Sequence, residues 1–134
     1  MPTITIKGVE HPYDENDVIT FPEGLIGLPQ VKQAVVITMN GFEPFCWLAP
    51  IGIDALRFVV VDPNDIFNGY QLQVPGGRDS GFKTYSLVTL SSDWTKTTFN
   101  LKAPIFVDQD TRKGSQQILN DSPYHFAETL PQDQ

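Results

Sequence analysis

The chain has 134 residues, a length that suits one domain with its own hydrophobic core. Its 16 acidic and 9 basic residues give a net charge of -7, which argues against direct binding of nucleic acid, because phosphate contacts depend on Lys and Arg. The acidity suits a basic protein partner, although solubility alone also accounts for it.

The N-terminal part of the chain predicts two strands separated by a polar connection. Residues 3–7 alternate apolar and polar side chains, which is typical of a half-buried strand. Residues 8–17 are polar and rich in turn formers, and residues 18–21 resume a strand that Pro22 ends. The loop at residues 22–29 is unusually apolar. Two interpretations stay open: it packs against the body of the protein, or it exposes a contact patch.

The rest of the chain continues the same rhythm of strands and turns. Residues 57–61 do not alternate, so we expect them to lie centrally in a sheet, and residues 62–65 predict a single helical turn. The recurrence of strands every eight to twelve residues predicts an all-β sandwich or barrel. We predict one domain over residues 1–126 and a loose tail over 127–134. The further predicted strands are 33–39, 44–48, 56–61, 70–74, 84–90, 97–101, 103–107 and, more weakly, 115–119.

The residues that usually carry catalysis are few. His11 precedes a proline in a polar turn and His125 lies near the end, and neither has a serine or cysteine nucleophile motif beside it. Solvated or structural roles are the favoured interpretation, although the two histidines could meet in space. Cys46 is the only cysteine and lies in an apolar run, where a thiol usually behaves as a small buried hydrophobe.

Three groups of carboxylates could suggest a metal site. Residues 62–69 briefly resemble a calcium loop, but Ile66 and Phe67 interrupt the alternation of oxygen ligands and no glutamate closes the loop. Residues 14–17 form a second cluster within a polar, turn-rich stretch, and residues 108–111 indicate a turn in which the acids cap backbone amides. We therefore predict no metal and no cofactor.

The sequence also bears on location. Charged residues interrupt the first twenty positions, which argues against the apolar stretch of a signal peptide. The longest aliphatic and aromatic run, residues 58–61, is far too short to span a bilayer. The expected location is the cytoplasm, without membrane contact.

Three segments combine turn residues with large apolar side chains and lack a catalytic residue set: 19–27, 43–48 and 112–124. Such segments indicate recognition of another macromolecule. The Phe21-Pro22-Glu23-Gly24-Leu25 turn resembles a hallmark of the FliW family of flagellar assembly factors. So do residues 43–48, although that family more often has an aromatic residue where Cys46 stands. The other segments that resemble the family are 58–63, 100–105 and 112–124.

The resemblance implies a fold and a function. The expected fold is all-β: a small antiparallel β-barrel-like domain with short irregular or single-turn helical connections. Proteins of this family are expected to be non-enzymatic, to bind newly made flagellin and, when flagellin is scarce, to bind the RNA-binding regulator CsrA and relieve its repression of flagellin translation. The chain departs from the family at residues 74–81, where a longer acidic insertion is usual, so one partner interaction could be weakened or lost.

Apolar and aromatic members of these segments are expected to anchor a partner, and Arg112 and Asn100 to orient it through hydrogen bonds. The alternative for each residue is an ordinary turn or core position. The candidate partner-binding residues are Phe21, Pro22, Leu25, Ile26, Asn100, Pro104, Ile105, Arg112, Gln117, Ser122 and Tyr124.

Two other hypotheses differ in class. A barrel can hold a cavity, so the chain could be a small-ligand-binding barrel or an uncharacterised enzyme, which a wide pocket lined by the histidines or the aspartate clusters would favour. The apolar turn could instead mediate self-association, although a monomer is expected.

Overall fold

The computed structural model describes residues 2–53, 56–70, 81–120 and 122–131. These ranges contain eleven β-strands and no α-helix, so the all-β prediction is confirmed. The strands are β1 (Thr3–Ile6), β2 (Val9–Pro12), β3 (Ile19–Thr20), β4 (Gln33–Thr38), β5 (Cys46–Pro50), β6 (Phe58–Val61), β7 (Phe82–Thr89), β8 (Thr98–Phe99), β9 (Ile105–Asp108), β10 (Gly114–Gln116) and β11 (Glu128–Thr129).

Nine of these strands form one antiparallel sheet, and β1 pairs with β2 in a separate hairpin. The sheet order is β10-β9-β7-β6-β5-β4-β3, with β8 added to β7 and β11 added to β8. The long strand β7 makes this branching possible, because its first half pairs with β9 and its last two residues pair with β8. The predicted strand at 70–74 lies mostly outside the described residues.

Short turns of 3₁₀ helix connect the strands at Glu15–Asp17, Pro63–Asp65 and Trp94–Lys96. Each begins after an aspartate whose carboxylate accepts a hydrogen bond from a backbone N–H. Asp62, for example, accepts from Asn64 N at 3.0 Å. The single helical turn expected at 62–65 is therefore confirmed.

The curved sheet is packed on both faces. Its inner face is filled by a cluster that includes Phe21, Leu48, Val60 and Ile105, so the interior holds side chains rather than an open ligand cavity. A second cluster, which includes Val61, and a third under the β1–β2 hairpin cover most of the outer face. Strand β6 lies between β5 and β7 and contributes to both the inner and the outer clusters, which confirms the central position expected for residues 57–61.

The two ends of the sheet, β3 and β10, approach each other at one point, which we call the seam. The N–H of Thr20 donates a hydrogen bond to the carbonyl of Arg112 at 2.9 Å, and Thr20 and Lys113 form an isolated parallel bridge. One bridge is not a ladder, so the sheet is barrel-like but does not close. Arg112 strengthens the seam because its Nη2 donates to the carbonyl of Asp17 at 2.9 Å.

Two segments differ from the sequence prediction. Residues 8–17, expected to be a polar connection, contain β2, because Lys7 and Gly8 adopt φ values of 52° and 78° and so form a tight two-residue hairpin turn. The prediction of a loose tail from residue 127 is corrected at Glu128–Thr129, which pair with β8 as β11. Two-residue pairing is too short to leave a periodic pattern in the sequence.

Gly114 is the tightest packing point at the seam. A Cβ atom there would lie 2.5 Å from Cε1 of Phe21 and 2.9 Å from Cγ2 of Ile19, both of which are buried side chains. We predict that Gly114→Ala lowers the free energy of unfolding by about 1–3 kcal/mol, because the core must shift to accept one methyl group. Urea unfolding measures the effect.

The neighbouring substitution Ser115→Ala is the matched control, because Ser115 is only half-buried, and we expect it to change stability by less than about 0.5 kcal/mol. Equal stability of Gly114→Ala and the unsubstituted chain would show that the seam is not tightly packed.

Candidate functional site

A cleft opens beside the seam, between the apolar turn at residues 22–26 and strand β10. We call it the seam cleft. It has a volume of about 590 Å³. Its apolar lining comes from the turn and from Phe82, and its polar lining includes Glu23, Asp108 and Lys113. The fold thus brings together two segments that the sequence singled out, the apolar turn and the beginning of the 112–124 block.

The turn is held in shape by its own backbone. The N–H groups of Leu25 and Leu28 each donate to the other residue's carbonyl, at 3.1 and 2.8 Å. Gly24 adopts a φ of 72°, and a Cβ there would lie 2.5 Å from the carbonyl oxygen of Pro29, so no other residue fits without strain.

The two interpretations of the apolar loop both apply, to different residues. Leu25 is 4% exposed and packs into the core, whereas Ile26 is 50% exposed and stands at the cleft. A buried leucine therefore fixes the turn while its neighbour presents an apolar side chain to solvent. This pairing suits an anchor for a partner, since the exposed side chain is held on a rigid support.

Gln116 fixes the distance across the cleft. Its Oε1 accepts a hydrogen bond from the N–H of Ile26 at 2.9 Å, and its Nε2 donates to the carbonyl of Ala103 at 3.0 Å. One side chain thus connects the turn, β10 and the segment before β9. Side chain–backbone hydrogen bonds of this kind each contribute about 0.5–1.5 kcal/mol.

Strand β10 presents an edge to the cleft. It pairs with β9 on one side only, and Ser115 lies opposite Phe106. The N–H of Gln117 donates to the carbonyl of Pro104 and the carbonyl of Lys113 accepts from Asp108, so the odd-numbered residues hydrogen-bond with β9. By the alternation of an antiparallel ladder, the carbonyl groups of the intervening residues 114 and 116 point towards the cleft.

The side chains of Asp108 and Lys32 make hydrogen bonds to the backbone around the cleft. One oxygen of Asp108 accepts from the backbone N–H groups of Asp110 and Thr111 at 2.9 and 3.2 Å, which confirms the capped turn expected at residues 108–111. The Nζ of Lys32 donates to the carbonyl of Pro22 at 3.2 Å. These contacts hold the loops around the cleft.

The predicted site residues occupy several different places in the structure. Pro22, Leu25 and Ile26 line the cleft. Phe21 is fully buried, and Pro104 and Ile105 are also in the interior, so these three support the cleft from behind. Arg112 belongs to the seam: besides its bond to Asp17, its N–H donates to the carbonyl of Asp108 at 2.8 Å.

Two polar candidates do not line the cleft themselves and make local contacts. Asn100 accepts a hydrogen bond from the N–H of Ala103 at 2.9 Å through its Oδ1, which shapes the chain before β9. Gln117 donates through Nε2 to Oγ of Ser115 at 3.1 Å. In an extended strand, residues 115 and 117 face away from the side on which Gly114 meets Phe21, so Gln117 lies on the opposite face from Gln116.

Ser122 and Tyr124 lie near the second hydrophobic cluster. Oγ of Ser122 accepts a hydrogen bond from the N–H of Tyr124 at 3.2 Å. The ring centroids of Tyr124 and Tyr70 lie 4.7 Å apart. The hydroxyl of Tyr70 donates to the carbonyl of Leu101 at 2.7 Å, and burial raises the Tyr70 pKa well above its ordinary value. These contacts close the outer face of the sheet.

Several residues that line the cleft are absent from the predicted site. Gln116 is the most informative, because it lies in the 112–124 block beside the predicted residue Gln117. The two-residue period of a strand would have placed Gln116 on the same side as Gly114, and hence towards the turn. Phe82 carried no signal, since its position depends on the pairing of β7 with β9.

Among the two histidines and the aspartate clusters, only Asp108 lines the cleft. Neither His11 nor His125 lines it, and Nδ1 of His125 lies 2.8 Å from Oε2 of Glu128 on the surface. Within the described ranges, no group of three or more His, Cys, Asp or Glu side chains is placed to hold a metal ion. Those ranges also contain no helix that is long and apolar enough to cross a membrane.

The chain is similar to proteins of one family. A family model described as FliW protein matches residues 4–130. The flagellar assembly factor FliW 2 of Desulfotalea psychrophila is 34% identical over 128 residues, which cover 89% of this chain and 83% of that protein. The flagellar assembly factor FliW of Clostridium beijerinckii is 30% identical over 126 residues, which cover 88% of this chain and 89% of that protein. A crystal structure of the flagellar assembly factor FliW has a TM-score of 0.82 at 28% identity, and the match covers 98% of this chain and 99% of that one.

Arg112, a predicted partner-binding residue, makes a hydrogen bond across the seam. We predict that Arg112→Ala lowers the free energy of unfolding by about 1–3 kcal/mol, because the Asp17 carbonyl loses a charge-assisted hydrogen bond. Guanidinium unfolding measures the loss, with the exposed Lys96→Ala as the control that removes a positive charge elsewhere. An Arg112→Ala protein of unchanged stability would contradict the seam role.

The reactivity of Cys46, the only cysteine in the sequence, tests whether its thiol is buried. Burial raises the pKa of the Cys46 thiol above its ordinary value, and the nearby Lys83 charge opposes this only partly. A raised pKa leaves less thiolate at a given pH, so we predict reaction with Ellman's reagent at pH 8 to be at least about fivefold slower in the folded chain than in urea. Equal rates would indicate an accessible, unperturbed thiol.

Proposed function

The chain belongs to the FliW family, and from this premise we propose that it is a flagellar assembly factor that binds flagellin and, alternately, the RNA-binding translational regulator CsrA. Binding to CsrA relieves the repression of flagellin translation, and binding to newly made flagellin ends that relief. The protein acts in the cytoplasm as a monomer, by docking alone, without catalysis, cofactor or direct contact with nucleic acid.

One observation carries the assignment of the docking site: the exposed side chain of Ile26 stands at the seam cleft on a rigid turn. Its N–H is fixed by Gln116 and its neighbour Leu25 is buried, so the apolar anchor is already ordered before a partner arrives. Preorganisation of this kind lowers the entropic cost of association.

The roles of the other candidate residues follow from their positions. Pro22 at the rim and Leu25 at the base complete the apolar surface around Ile26. The carbonyl edge of β10 offers hydrogen-bond acceptors to a partner's backbone or side chains. Four of the remaining predicted residues support the cleft rather than contact the partner: Phe21, Pro104, Ile105 and Arg112. The other four lie outside the cleft lining and take no part in this docking site: Asn100, Gln117, Ser122 and Tyr124.

The charge of the chain supports a protein partner with basic groups. The net charge is -7. Glu23 and Asp108 line the cleft together with one cation, Lys113. Long-range attraction of this kind raises the association rate at low salt and contributes less to affinity. The same charge disfavours direct contact with RNA, in agreement with an action on an RNA-binding protein.

A single docking site explains why the two partners alternate. If flagellin and CsrA both use the seam cleft, binding of one excludes the other by simple competition. No conformational switch in this chain is then required. The ratio of the two affinities and the concentrations of the two partners decide which complex forms.

We predict that Ile26→Asp weakens binding of both flagellin and CsrA by at least about tenfold, because it removes an apolar anchor worth more than about 1.4 kcal/mol. Isothermal titration calorimetry of the folded chain with each purified partner measures the change. Val9→Asp is the matched control: Val9 is 56% exposed on β2, outside the cleft lining, and its replacement should leave both affinities unchanged.

The same experiment addresses the alternatives. Absence of heat with either partner would remove the proposed function, and loss of binding in Val9→Asp but not in Ile26→Asp would move the docking site elsewhere. Sedimentation at several concentrations tests whether the chain is a monomer. If the chain self-associates through the apolar turn, Ile26→Asp should suppress that association.

A further inference from the structure

A second concave surface lies on the outer face of the sheet, between the turn of the β1–β2 hairpin and the end of β7. We call it the Trp47 groove. It has a volume of about 650 Å³, and among the described residues it shares no lining residue with the seam cleft. The residues that matter here are Lys7, Trp47, Arg57, Val59 and Leu90.

Two cations meet at the Trp47 ring. Nζ of Lys7 and Cζ of Arg57 each lie 5.4 Å from the ring centroid, within the range of a cation–π interaction. Their positions come from different elements: Lys7 occupies the hairpin turn with a φ of 52°, and Arg57 directly precedes β6. The fold therefore brings two positive charges to one aromatic side chain.

These charges have no acidic partner in the part of the chain that the structure describes. The ion pairs found there involve Lys83 and His125, and neither Lys7 nor Arg57 takes part in one. No described carboxylate lines the groove. In a chain with 16 acidic and 9 basic residues, this is a local positive surface on an acidic protein.

The floor beside the two cations is apolar. Trp47 and Val59 are directly paired neighbours on β5 and β6, so their side chains lie on the same face. Leu90, which follows β7, is 46% exposed at the groove. A ligand that fits this surface combines negative charge with an apolar side chain.

We propose that the Trp47 groove binds an acidic segment of a protein, with carboxylate groups at Lys7 and Arg57 and an apolar side chain against Val59 and Leu90. A nucleic acid fits less well, because two cations contact few phosphates and the net charge of -7 repels a polyanion. This surface is distinct from the docking site proposed above and does not depend on it.

The test uses Trp47 as its own reporter. The chain has two tryptophans, so Trp94→Phe leaves Trp47 as the only one. In this background we would titrate the capped peptide Glu-Leu-Glu-Leu-Glu and follow tryptophan emission, with Lys-Leu-Lys-Leu-Lys and an oligouridylate as comparison ligands. We expect a saturable change with the acidic peptide only, and weaker binding as salt is raised.

Matched variants assign the binding to the groove. Lys7→Gln combined with Arg57→Gln should lower the affinity for the acidic peptide by at least about tenfold, since both charge-assisted contacts are lost. Lys96→Gln combined with Lys102→Gln removes the same charge from positions outside the lining of both concave surfaces and should leave binding unchanged. If the first double variant fails to fold, each single substitution and the salt titration of the parent protein give the same comparison.

No saturable change up to about millimolar peptide, equal weakening by both double variants, or tighter binding of the oligouridylate would each overturn the proposal. The assay contains neither flagellin nor CsrA, so its failure leaves the proposed function of the seam cleft untouched, and failure of that function leaves this assay interpretable.

Discussion

The single backbone bridge at the seam is the constraint on which the candidate site depends. Thr20 and Arg112 are far apart in sequence, and the hydrogen bond between them joins the two ends of the sheet at one point. A full ladder there would have closed the barrel and filled the space beside β10. Because only one bridge forms, the apolar turn and β10 diverge beyond it and leave the seam cleft, whose width Gln116 then fixes.

Local patterns predicted most of the fold, and long-range pairing accounts for what they missed. The alternation of apolar and polar side chains predicted β1, and the absence of that alternation predicted the central strand β6. The unusual apolarity of residues 22–29 indicated a contact patch that includes Ile26. The role of Arg112 depends on Asp17, and that of Gln116 depends on Ile26, about ninety residues away. No local pattern carries such contacts, so neither the bond from Arg112 to Asp17 nor the bond between Gln116 and Ile26 could be predicted from the sequence.

The two surfaces described above have opposite chemistry and separate supports. The seam cleft is apolar with mixed polar groups at its rim, and it is held by the seam. The Trp47 groove is positively charged and is held by the β1–β2 hairpin. A small all-β domain with a filled interior can therefore offer two different contact surfaces, since one depends on the joined ends of the large sheet and the other on the separate hairpin packed beside its central strands.

Hydrogen–deuterium exchange of the chain, alone and with saturating flagellin, tests most directly whether a partner docks at the seam cleft. The account predicts slower exchange of backbone amides in residues 22–26 and 111–116 when flagellin is bound, with little change in the β1–β2 hairpin. Unchanged exchange in both of those segments, together with protection elsewhere on the sheet, would contradict it.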